Sequence, residues 1–324
     1  MLKSLKWEVD GRATSRLDRS LAEVFPEFSR ARVQALIEQG QVRVDGRPGR
    51  SAERPVRGQL VEIDVPDLAD AGIVPEQIPL EILYEDAELL VLNKSAGMVV
   101  HPGAGNERGT LVNALMGRGT ELSGIGGELR PGIVHRLDAG TSGVMVVAKS
   151  DTAHRRLAKQ FEAHSIERRY LAVVHKVPLH DRGTVRSELG RDPRDRMRFA
   201  SVESGKEAVT HWECLSRGDR VALVECRLET GRTHQIRVHM TEAGHPLLGD
   251  RAYTRRDCTP TANLRERAAE LTHPLLHARV LGFEHPKSKE RLRFTAPPPT
   301  DFLEFCALAG LQHPHLLPTG TPAR

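Results

Sequence analysis

Apolar residues near the N-terminus recur at helical spacing. Leu17, Leu21 and Val24 stand at i, i+4 and i+7, which predicts a short helix with one buried stripe. Ser15 precedes the stripe and suits the N-terminal cap of this helix. Asp18 then falls in the first turn, where the helix dipole favours an acid, so this aspartate has a sufficient structural explanation.

A second helix and a small sheet are predicted directly after the first helix. The segment SRARVQALIEQG predicts a helix that Ser29 caps and Gly40 ends. An Asp45-Gly46 turn and the alternating segment QLVEIDVP predict short strands. The inward-facing positions are Val33, Leu36, Ile37, Val61, Ile63 and Val65.

Beyond a Pro- and Gly-bearing linker the pattern changes to strands separated by Gly and Pro. LEILYEDAELLVLNK predicts two strands joined at Glu85-Asp86, and VMVVAK, RRYLAVVH and VALVECRLE predict three more. SDTAHRRLAKQFEAH and THQIRVHMTEAG predict helices, the second capped by Thr233 and stopped by Gly244. No regular βαβ repeat is present, so the pattern favours an α+β fold.

Composition narrows the class of protein. The chain has 324 residues, of which 39% are hydrophobic and 28% charged, as is typical of a soluble globular protein. The net charge of +4 and the abundant arginine suggest a phosphate-bearing partner. The four cysteines form no C-x-x-C pair, so we expect neither a zinc site nor a disulfide framework, and a reducing cytoplasm as the compartment. No apolar run is long enough for a transmembrane helix, so no membrane association is expected.

The tripeptide Arg-Leu-Asp occurs twice, at 16–18 and at 136–138. The second copy has no helical setting, because five small residues, 139–143, follow it and lead into an apolar strand. Small residues permit unusual dihedral angles or a close approach of the backbone to a ligand. On the local pattern, Asp138 either bonds its own backbone in an Asx-type turn or stands at the mouth of a cleft.

Several blocks of the chain resemble one family. HRLDAGTSGVMVVAK resembles the signature motif of pseudouridine synthases, in the branch that modifies uridines of large-subunit ribosomal RNA. YEDAELLVLNKSAGMVVHPGAG, RRYLAVV and LETGRTHQIRVHM with GHPLLGD resemble further blocks in the family's order, and residues 15–65 resemble the S4 RNA-binding domain. The chain departs from the family pattern at Ser95, where Pro is usual, at Ala139-Gly140, and at Arg168-Arg169, where Lys is frequent at one position.

The resemblance implies a fold and a domain order. It implies an α+β catalytic domain at 80–310 with a mixed, mainly antiparallel sheet, the pseudouridine synthase fold. A small αα-β RNA-binding domain at 1–66 and a linker at 67–79 precede it, and a loosely held tail at 311–324 follows. Four arginines around the turn of the small domain would form a basic ridge for RNA: Arg30, Arg32, Arg43 and Arg47.

The resemblance also implies the site residues. Asp138 takes the position of the catalytic carboxylate, which acts at the uracil–ribose bond through either an acyl-linked sugar or a glycal. Arg237 matches its ion-pair partner, and Tyr170 the residue that stacks on the target base. Arg136 fills the space that the flipped uridine leaves.

Two further residues, Arg232 and His234, are predicted to contact phosphate or the rim of the pocket. Because isomerisation needs neither a redox change nor an external group, we expect no cofactor and no metal. The expected partner is ribosomal RNA, free or within an assembling large subunit, and the expected state is a monomer.

The alternative from another class is a non-catalytic RNA-binding or ribosome-assembly factor of the same fold. Such a factor would not need Asp138, Tyr170 and Arg237 together. Both proteins would bind RNA in a salt-sensitive way, so binding by itself does not separate them.

Overall fold

The computed structural model describes residues 3–11, 15–25, 28, 30–65, 73–103, 105–120, 122–126, 130–254 and 261–317. The chain divides into two compact units. One comprises Met1–Ile78, His101–Val134 and Val147–Arg155, and the other comprises Pro79–Val100, His135–Val146 and Arg156–Arg324.

The N-terminal module has the two predicted helices and a sheet of four strands, one of which, β1, was not predicted. The helices are α1 (Leu17–Val24) and α2 (Arg30–Glu38), and the strands are β1 (Lys3–Glu8), β2 (Val42–Val44), β3 (Arg47–Pro48) and β4 (Leu60–Val65). The strand order is β1-β4-β2-β3, with antiparallel pairs throughout. The predicted inward-facing residues are buried at Leu17, Leu21, Val33, Leu36, Ile37, Val61 and Ile63.

Some details of the predicted module differ in the structure. Ser15 does not cap α1, because the N-cap is Arg16 and the Ser15 hydroxyl pairs with that of Ser20 at 2.9 Å. Val24 is 40% exposed, since α1 ends at this residue and its buried stripe ends with it. The predicted cap Ser29 and the side chain of Val65 lie outside the described residues.

The second sheet has ten strands, one of which branches from β13. The strands are β5 (Glu81–Glu85), β6 (Leu89–Lys94), β7 (Ser142–Ala148), β8 (Glu167–His175), β9 (Arg182–Arg191), β10 (Phe199–Ser201), β11 (Lys206–Arg217), β12 (Val221–Leu228), β13 (Leu276–Glu284) and β14 (Arg291–Thr295). Their order is β10-β9-β11-β12-β8-β13-β7-β6-β5, with β14 beside β13. Strand β13 pairs parallel with β7 and antiparallel with β8 and β14. The predicted α+β fold with a mixed, mainly antiparallel sheet is confirmed.

Five further helices accompany this sheet in the described part of the chain. They are α3 (Leu111–Gly117), α4 (Asp151–Glu162), α5 (Gln235–Glu242), α6 (Ala262–Glu270) and α7 (Thr300–Leu308). Strand β7 is buried at all its positions, as expected from its apolar sequence. By contrast, β9 alternates between exposed and half-buried residues over most of its length, as a strand with one solvated face does.

Alternate residues of β8 pack in two different apolar clusters. Leu171 and Val173 join the cluster that contains Phe302 and Phe305 of α7. Tyr170, Ala172 and Val174 join the cluster that contains Ile236 and Met240 of α5. Because side chains alternate across a strand, this register directs Tyr170 to the face of the sheet that α5 covers.

The first described residues of the predicted tail are held by the core. Leu311 is buried with Phe305, and its backbone N–H donates to the carbonyl of Cys306. Residues Pro314–Leu316 form a short 3-10 turn. The end of the chain, 318–324, lies outside the described residues.

Candidate active site

Asp138 stands in a backbone turn directly before β7. The buried side chain of Leu137 anchors this turn, and the Thr141 N–H donates to the Asp138 carbonyl at 3.0 Å. Gly143 has a φ of 120° and lies beside Ala278 of β13, where a Cβ would collide with the Ala278 backbone. Gly143 therefore permits both an unusual dihedral angle and a close approach of β7 to β13.

Lys94, at the end of β6, holds the turn from its other side. The side chain is fully buried, and its ammonium donates to the carbonyls of Ser95, Met98 and Ala139 at 2.9, 2.8 and 3.1 Å. Burial lowers the pKa of Lys94 to about 7, and the charge of Asp138 opposes that shift. Lys94 thus ties the residue after Asp138 to the loop that follows β6.

The carboxylate of Asp138 is approached on one oxygen only. Its side chain is 20% exposed, and Oδ2 lies 3.5 Å from Nη1 of Arg237 and 3.9 Å from Nε2 of His234. No described residue donates a hydrogen bond to Oδ1. Asp138 therefore forms no Asx-type turn with the described backbone, and its side-chain contacts there are confined to Oδ2.

Arg237 is shared between two carboxylates. Its Nε and Nη2 donate to Asp250 at 2.7 and 2.9 Å, a bidentate pair, and its guanidinium stacks on the ring of Tyr253. Burial disfavours the charge of Arg237, but Asp250 and then Asp138 outweigh burial and raise the pKa of Arg237. Because Asp250 occupies one edge of the guanidinium, a single nitrogen remains for Asp138.

His234, rather than the predicted Thr233, is the N-cap of α5. The helix starts later than predicted because the Gln235 side chain folds back and accepts the N–H of Arg232 at 3.0 Å. His234 has a left-handed backbone with a φ of 58°, which costs a non-glycine residue about 1–2 kcal/mol. Its side chain makes no cap bond, and Nδ1 instead lies 2.9 Å from the Tyr253 hydroxyl. The predicted stop at Gly244 is confirmed by its φ of 89°.

Tyr170 lies within electrostatic reach of Asp138. Burial raises the pKa of Tyr170 to about 12, Arg168 opposes the shift, and Asp138 adds to it. The phenol therefore remains protonated at physiological pH. Arg168 is buried beside it and donates to the carbonyl of Glu229 at 2.6 Å.

The other two predicted pocket arginines differ in their surroundings. Arg136 is exposed, and its charge acts on His234. Arg232 donates through Nε to the carbonyl of Glu207 at 3.0 Å, so in this conformation its guanidinium is engaged away from Asp138.

Sequence reasoning did not single out Lys94, Asp250 or Tyr253. A sequence signal for Lys94 was available, because this lysine follows the apolar run LLVL after a single asparagine. Asp250 lies within the block GHPLLGD, whose resemblance to the family was seen without a role for its acid. Nothing in the local sequence indicated Tyr253, since its contacts with His234 and Arg237 are tertiary.

Three of the four arginines predicted to bind RNA are paired with acids. Arg30 donates to Asp18 at 2.9 Å. Arg43 lies 2.7 Å from a carboxylate oxygen of Asp64, and Arg47 lies 3.1 Å from one of Glu53. Each of the three side chains is at least 36% exposed. The side chain of Arg32 lies outside the described residues.

The described ranges contain no group of three or more His, Cys, Asp and Glu side chains placed to hold a metal ion. No helix in them combines the length and the apolar character that crossing a bilayer requires.

The chain is similar to known proteins over most of its length. The RNA pseudouridylate synthase family profile matches residues 88–242, and the S4 domain profile matches residues 15–61. Ribosomal large subunit pseudouridine synthase D of Xylella fastidiosa is 46% identical, over 92% of this chain and 90% of its own length. The uncharacterized RNA pseudouridine synthase YlyB of Bacillus subtilis is 44% identical, over 90% and 93%.

A solved structure agrees with the sequence relatives. The human RNA pseudouridylate synthase domain containing 4 superposes with a TM-score of 0.56 at 26% identity, over 72% of this chain and 94% of its own. The shared fold, the matched profiles and the two long relatives all lead to one assignment. The chain belongs to the RNA pseudouridine synthase family, and it is an RNA-modifying isomerase with an S4 domain ahead of its catalytic region.

Proposed function

We propose that this enzyme converts uridines of large-subunit ribosomal RNA to pseudouridine, with Asp138 as the catalytic carboxylate acting on a flipped-out uridine. The observation that carries the proposal is the asymmetry of Asp138, whose Oδ2 faces Arg237 and His234 while no described residue donates to Oδ1. Relatives named ribosomal large subunit pseudouridine synthase D are 44–47% identical over 88–92% of this chain, which supports the ribosomal substrate.

The reaction breaks the N1–C1′ bond of uridine and forms a C5–C1′ bond. C5 loses its hydrogen and N1 gains one, so the atoms balance without an external group. The open oxygen of Asp138 would either attack C1′ and form a sugar ester, or remove a proton from the sugar and leave a glycal. In both routes Arg237 would hold Oδ2 of the carboxylate in place while the other oxygen reacts.

Other side chains would bind the flipped nucleotide. Unstacking a uridine costs a few kcal/mol, and stacking on the Tyr170 ring would return about 1–3 kcal/mol of it. Arg136 is exposed beside Asp138 in the chain and would fill the gap that the base leaves in the RNA. Arg232 would contact phosphate after leaving the carbonyl of Glu207.

We assign RNA capture to the N-terminal part of the chain. In this proposal residues 1–66 form the S4-type domain, 67–79 the linker, 80–310 the catalytic domain and 311–324 a tail. The ridge Arg30, Arg32, Arg43 and Arg47 would contact phosphates of ribosomal RNA, either free or in an assembling subunit. The enzyme would act as a monomer, in the cytoplasm and without a cofactor.

The test is tritium release from ribosomal RNA that carries 5-³H-uridine. The wild type should release tritium and Asp138→Asn should release none, with RNA binding retained. Asp18→Asn, in the other Arg-Leu-Asp copy, is the matched control and should release tritium at saturating RNA. Release by Asp138→Asn would move the chemistry to another residue. Release from no ribosomal RNA, free or in immature subunits, would overturn the substrate and favour the non-catalytic alternative.

A further inference from the structure

We propose that His234 is a positioning residue for Asp138: its Nε2–H is directed at Oδ2 of the carboxylate and, with Arg237, holds that oxygen while the other one reacts. The inference rests on the proposed role of Asp138. It gives the carboxylate a second donor, which is neutral and comes from the same helix end as the arginine.

The backbone of His234 is the first observation. This residue is the N-cap of α5 in a left-handed conformation, yet its side chain caps nothing. A strained non-glycine residue persists only where its surroundings hold it there. The ring contacts that hold it are edge contacts with Phe199 and Tyr253, at centroid distances of 5.5 and 5.7 Å.

The hydrogen bonds of Tyr253 decide which ring nitrogen carries the hydrogen. The Tyr253 oxygen accepts the N–H of Phe199 at 2.8 Å, and its single hydroxyl hydrogen has two acceptors within reach, the carbonyl of Phe199 at 3.2 Å and Nδ1 of His234 at 2.9 Å. When the hydroxyl donates to the nearer acceptor, Nδ1 of His234, this nitrogen carries the lone pair and Nε2 carries the hydrogen. The other tautomer would set a lone pair of Nε2 against the carboxylate oxygen, which is repulsive.

Burial favours the neutral form of His234. Burial lowers the pKa of His234 below its ordinary value, as do Arg237 and Arg136, while Asp138 and Asp250 oppose the shift. Burial also raises the pKa of Tyr253, so its hydroxyl remains a donor. A neutral imidazole adds a hydrogen bond at Asp138 without adding a second positive charge.

Two donors converge on Oδ2 of Asp138. Nε2 of His234 is 3.9 Å from this oxygen and Nη1 of Arg237 is 3.5 Å from it, both longer than a good hydrogen bond. Catalytic hydrogen bonds are often long in free enzymes and shorten in the complex with substrate. Because both donors converge on one oxygen, shortening would hold the carboxylate from one side.

The test compares the single-turnover rate of tritium release, with enzyme in excess over RNA, across the acid and neutral pH range. His234→Asn keeps a residue that tolerates the left-handed backbone but is too short to reach Asp138. We expect its rate to fall about tenfold or more, as for the loss of a hydrogen bond to a charged group, with the RNA affinity unchanged. The acid limb of its profile should move towards neutral pH, because a carboxylate that loses a donor takes up a proton more readily.

Two further variants separate positioning from folding. His234→Gln places an amide N–H near the position of Nε2 and should restore most of the rate and the wild-type acid limb. Tyr253→Phe frees the tautomer and should cost less than His234→Asn, and the double variant should be no slower than His234→Asn alone. His211→Ala is the matched control, because His211 also lies between the hydroxyl of Thr184 and the carboxylate of Glu229. Its loss should leave the rate of tritium release unchanged.

A wild-type rate in His234→Asn, an unmoved acid limb, a Gln variant no better than Asn, or additive effects with Tyr253→Phe would each overturn the inference. Should His234→Asn fail to fold, the Tyr253→Phe profile alone decides it, by its rate and its acid limb. Asp138→Asn distinguishes a failure of the proposed function from a failure of the role of His234. If Asp138→Asn is active, the proposed function fails; if it is inactive while His234→Asn has the wild-type rate, only the role of His234 fails.

Discussion

The two Arg-Leu-Asp copies place the same carboxylate in opposite surroundings. Asp18 is fully buried, and both of its oxygens are bonded, Oδ2 by Arg30 and Gln34 at 2.9 and 2.7 Å and Oδ1 by Arg16 at 3.3 Å. Asp138 is 20% exposed and is approached at Oδ2 alone. The first carboxylate holds two helices of the N-terminal module together, and the second is open on one side.

The difference shows what separates a structural acid from a candidate catalyst. Burial disfavours the charge of Asp18, but the bonds from Arg30 and Gln34 outweigh burial and lower its pKa. A buried anion with donors on both oxygens contributes to stability rather than to binding a substrate. At Asp138 the nearest cation is itself occupied by Asp250, so the carboxylate is oriented without being satisfied. Substitutions at the two sites can break this contrast, and the largest effect is expected at Arg237.

Arg237→Ala should have the largest effect, since it removes the group that two carboxylates share. Asp250 is 1% exposed and would be left as an unpaired buried charge, which costs about 3–5 kcal/mol of unfolding free energy. Turnover should fall more than about a hundredfold. Urea unfolding, followed by the fluorescence of Trp212 in a Trp7→Phe background, and tritium release measure the two losses. Arg237→Lys keeps the charge but not the bidentate bond. Its stability and its turnover should both lie between those of the wild type and those of Arg237→Ala.

Arg30→Ala is the counterpart of that change at Asp18. Its side chain is 53% exposed and Gln34 also bonds Asp18, so the loss should be about 1 kcal/mol. A loss at Arg30 as large as that at Arg237 would contradict the contrast between the two sites.

Tyr170→Ala should cost turnover without a matching loss of stability. Removing the aromatic ring should lower kcat/KM by the factor that corresponds to about 1–3 kcal/mol of lost stacking energy. Tyr170→Phe keeps the ring and should keep most of the activity. Gln34→Ala, at the shortest bond to Asp18, should leave turnover at saturating RNA unchanged. Steady-state tritium release compares the three. If the Phe variant is as slow as the Ala variant, the hydroxyl rather than the ring is the essential group.

Asp18→Ala should destabilise the N-terminal module by about 1–3 kcal/mol, because Arg30, Gln34 and Arg16 all lose their acceptor. Trp7 packs against the core of this module and Trp212 lies in the second sheet, so a Trp212→Phe background reports the module alone. Asp138→Ala, measured by the fluorescence of Trp212 in a Trp7→Phe background, should change the free energy of unfolding by less than about 1 kcal/mol. Equal losses at both aspartates would show that Asp138 is also structural.

The smallest effect is the pH dependence of the N-terminal module. Because the folded pKa of Asp18 is lowered, its contribution is present above the unfolded value of about 3.9 and is lost as pH falls through the folded value. Acid unfolding, followed at Trp7, should therefore steepen below about pH 4 in the wild type. Asp18→Asn should remove that steepening, and an identical acid slope in both proteins would assign it to other carboxylates.

Local patterns were sufficient where one element decides the outcome. The stripe Leu17 and Leu21, the turn Asp45-Gly46 and the stop at Gly244 depend on neighbours in the chain and are confirmed. Strand β1 escaped notice although Leu5 and Trp7 alternate with Lys6 and Glu8, because four charged or polar residues conceal so short an alternation. The caps at Ser15 and Thr233 were wrong because neighbouring side chains bond differently: the Ser15 hydroxyl pairs with that of Ser20, and Gln235 accepts the N–H of Arg232.

By itself, the sequence determined the family, the α+β class and the position of Asp138 in a turn of small residues, since motif spacing and hydrophobic periodicity are properties of the chain. Only the tertiary structure decided which oxygen of Asp138 is held and which is open. It also revealed that Asp250 occupies Arg237, that Lys94 anchors the turn and that Tyr253 orients His234. Those contacts join residues from β6, the turn before β7, α5 and the loop after it, and their distances are set by how the sheet and helix pack. Packing geometry is a property of the folded chain, so no local pattern contains it.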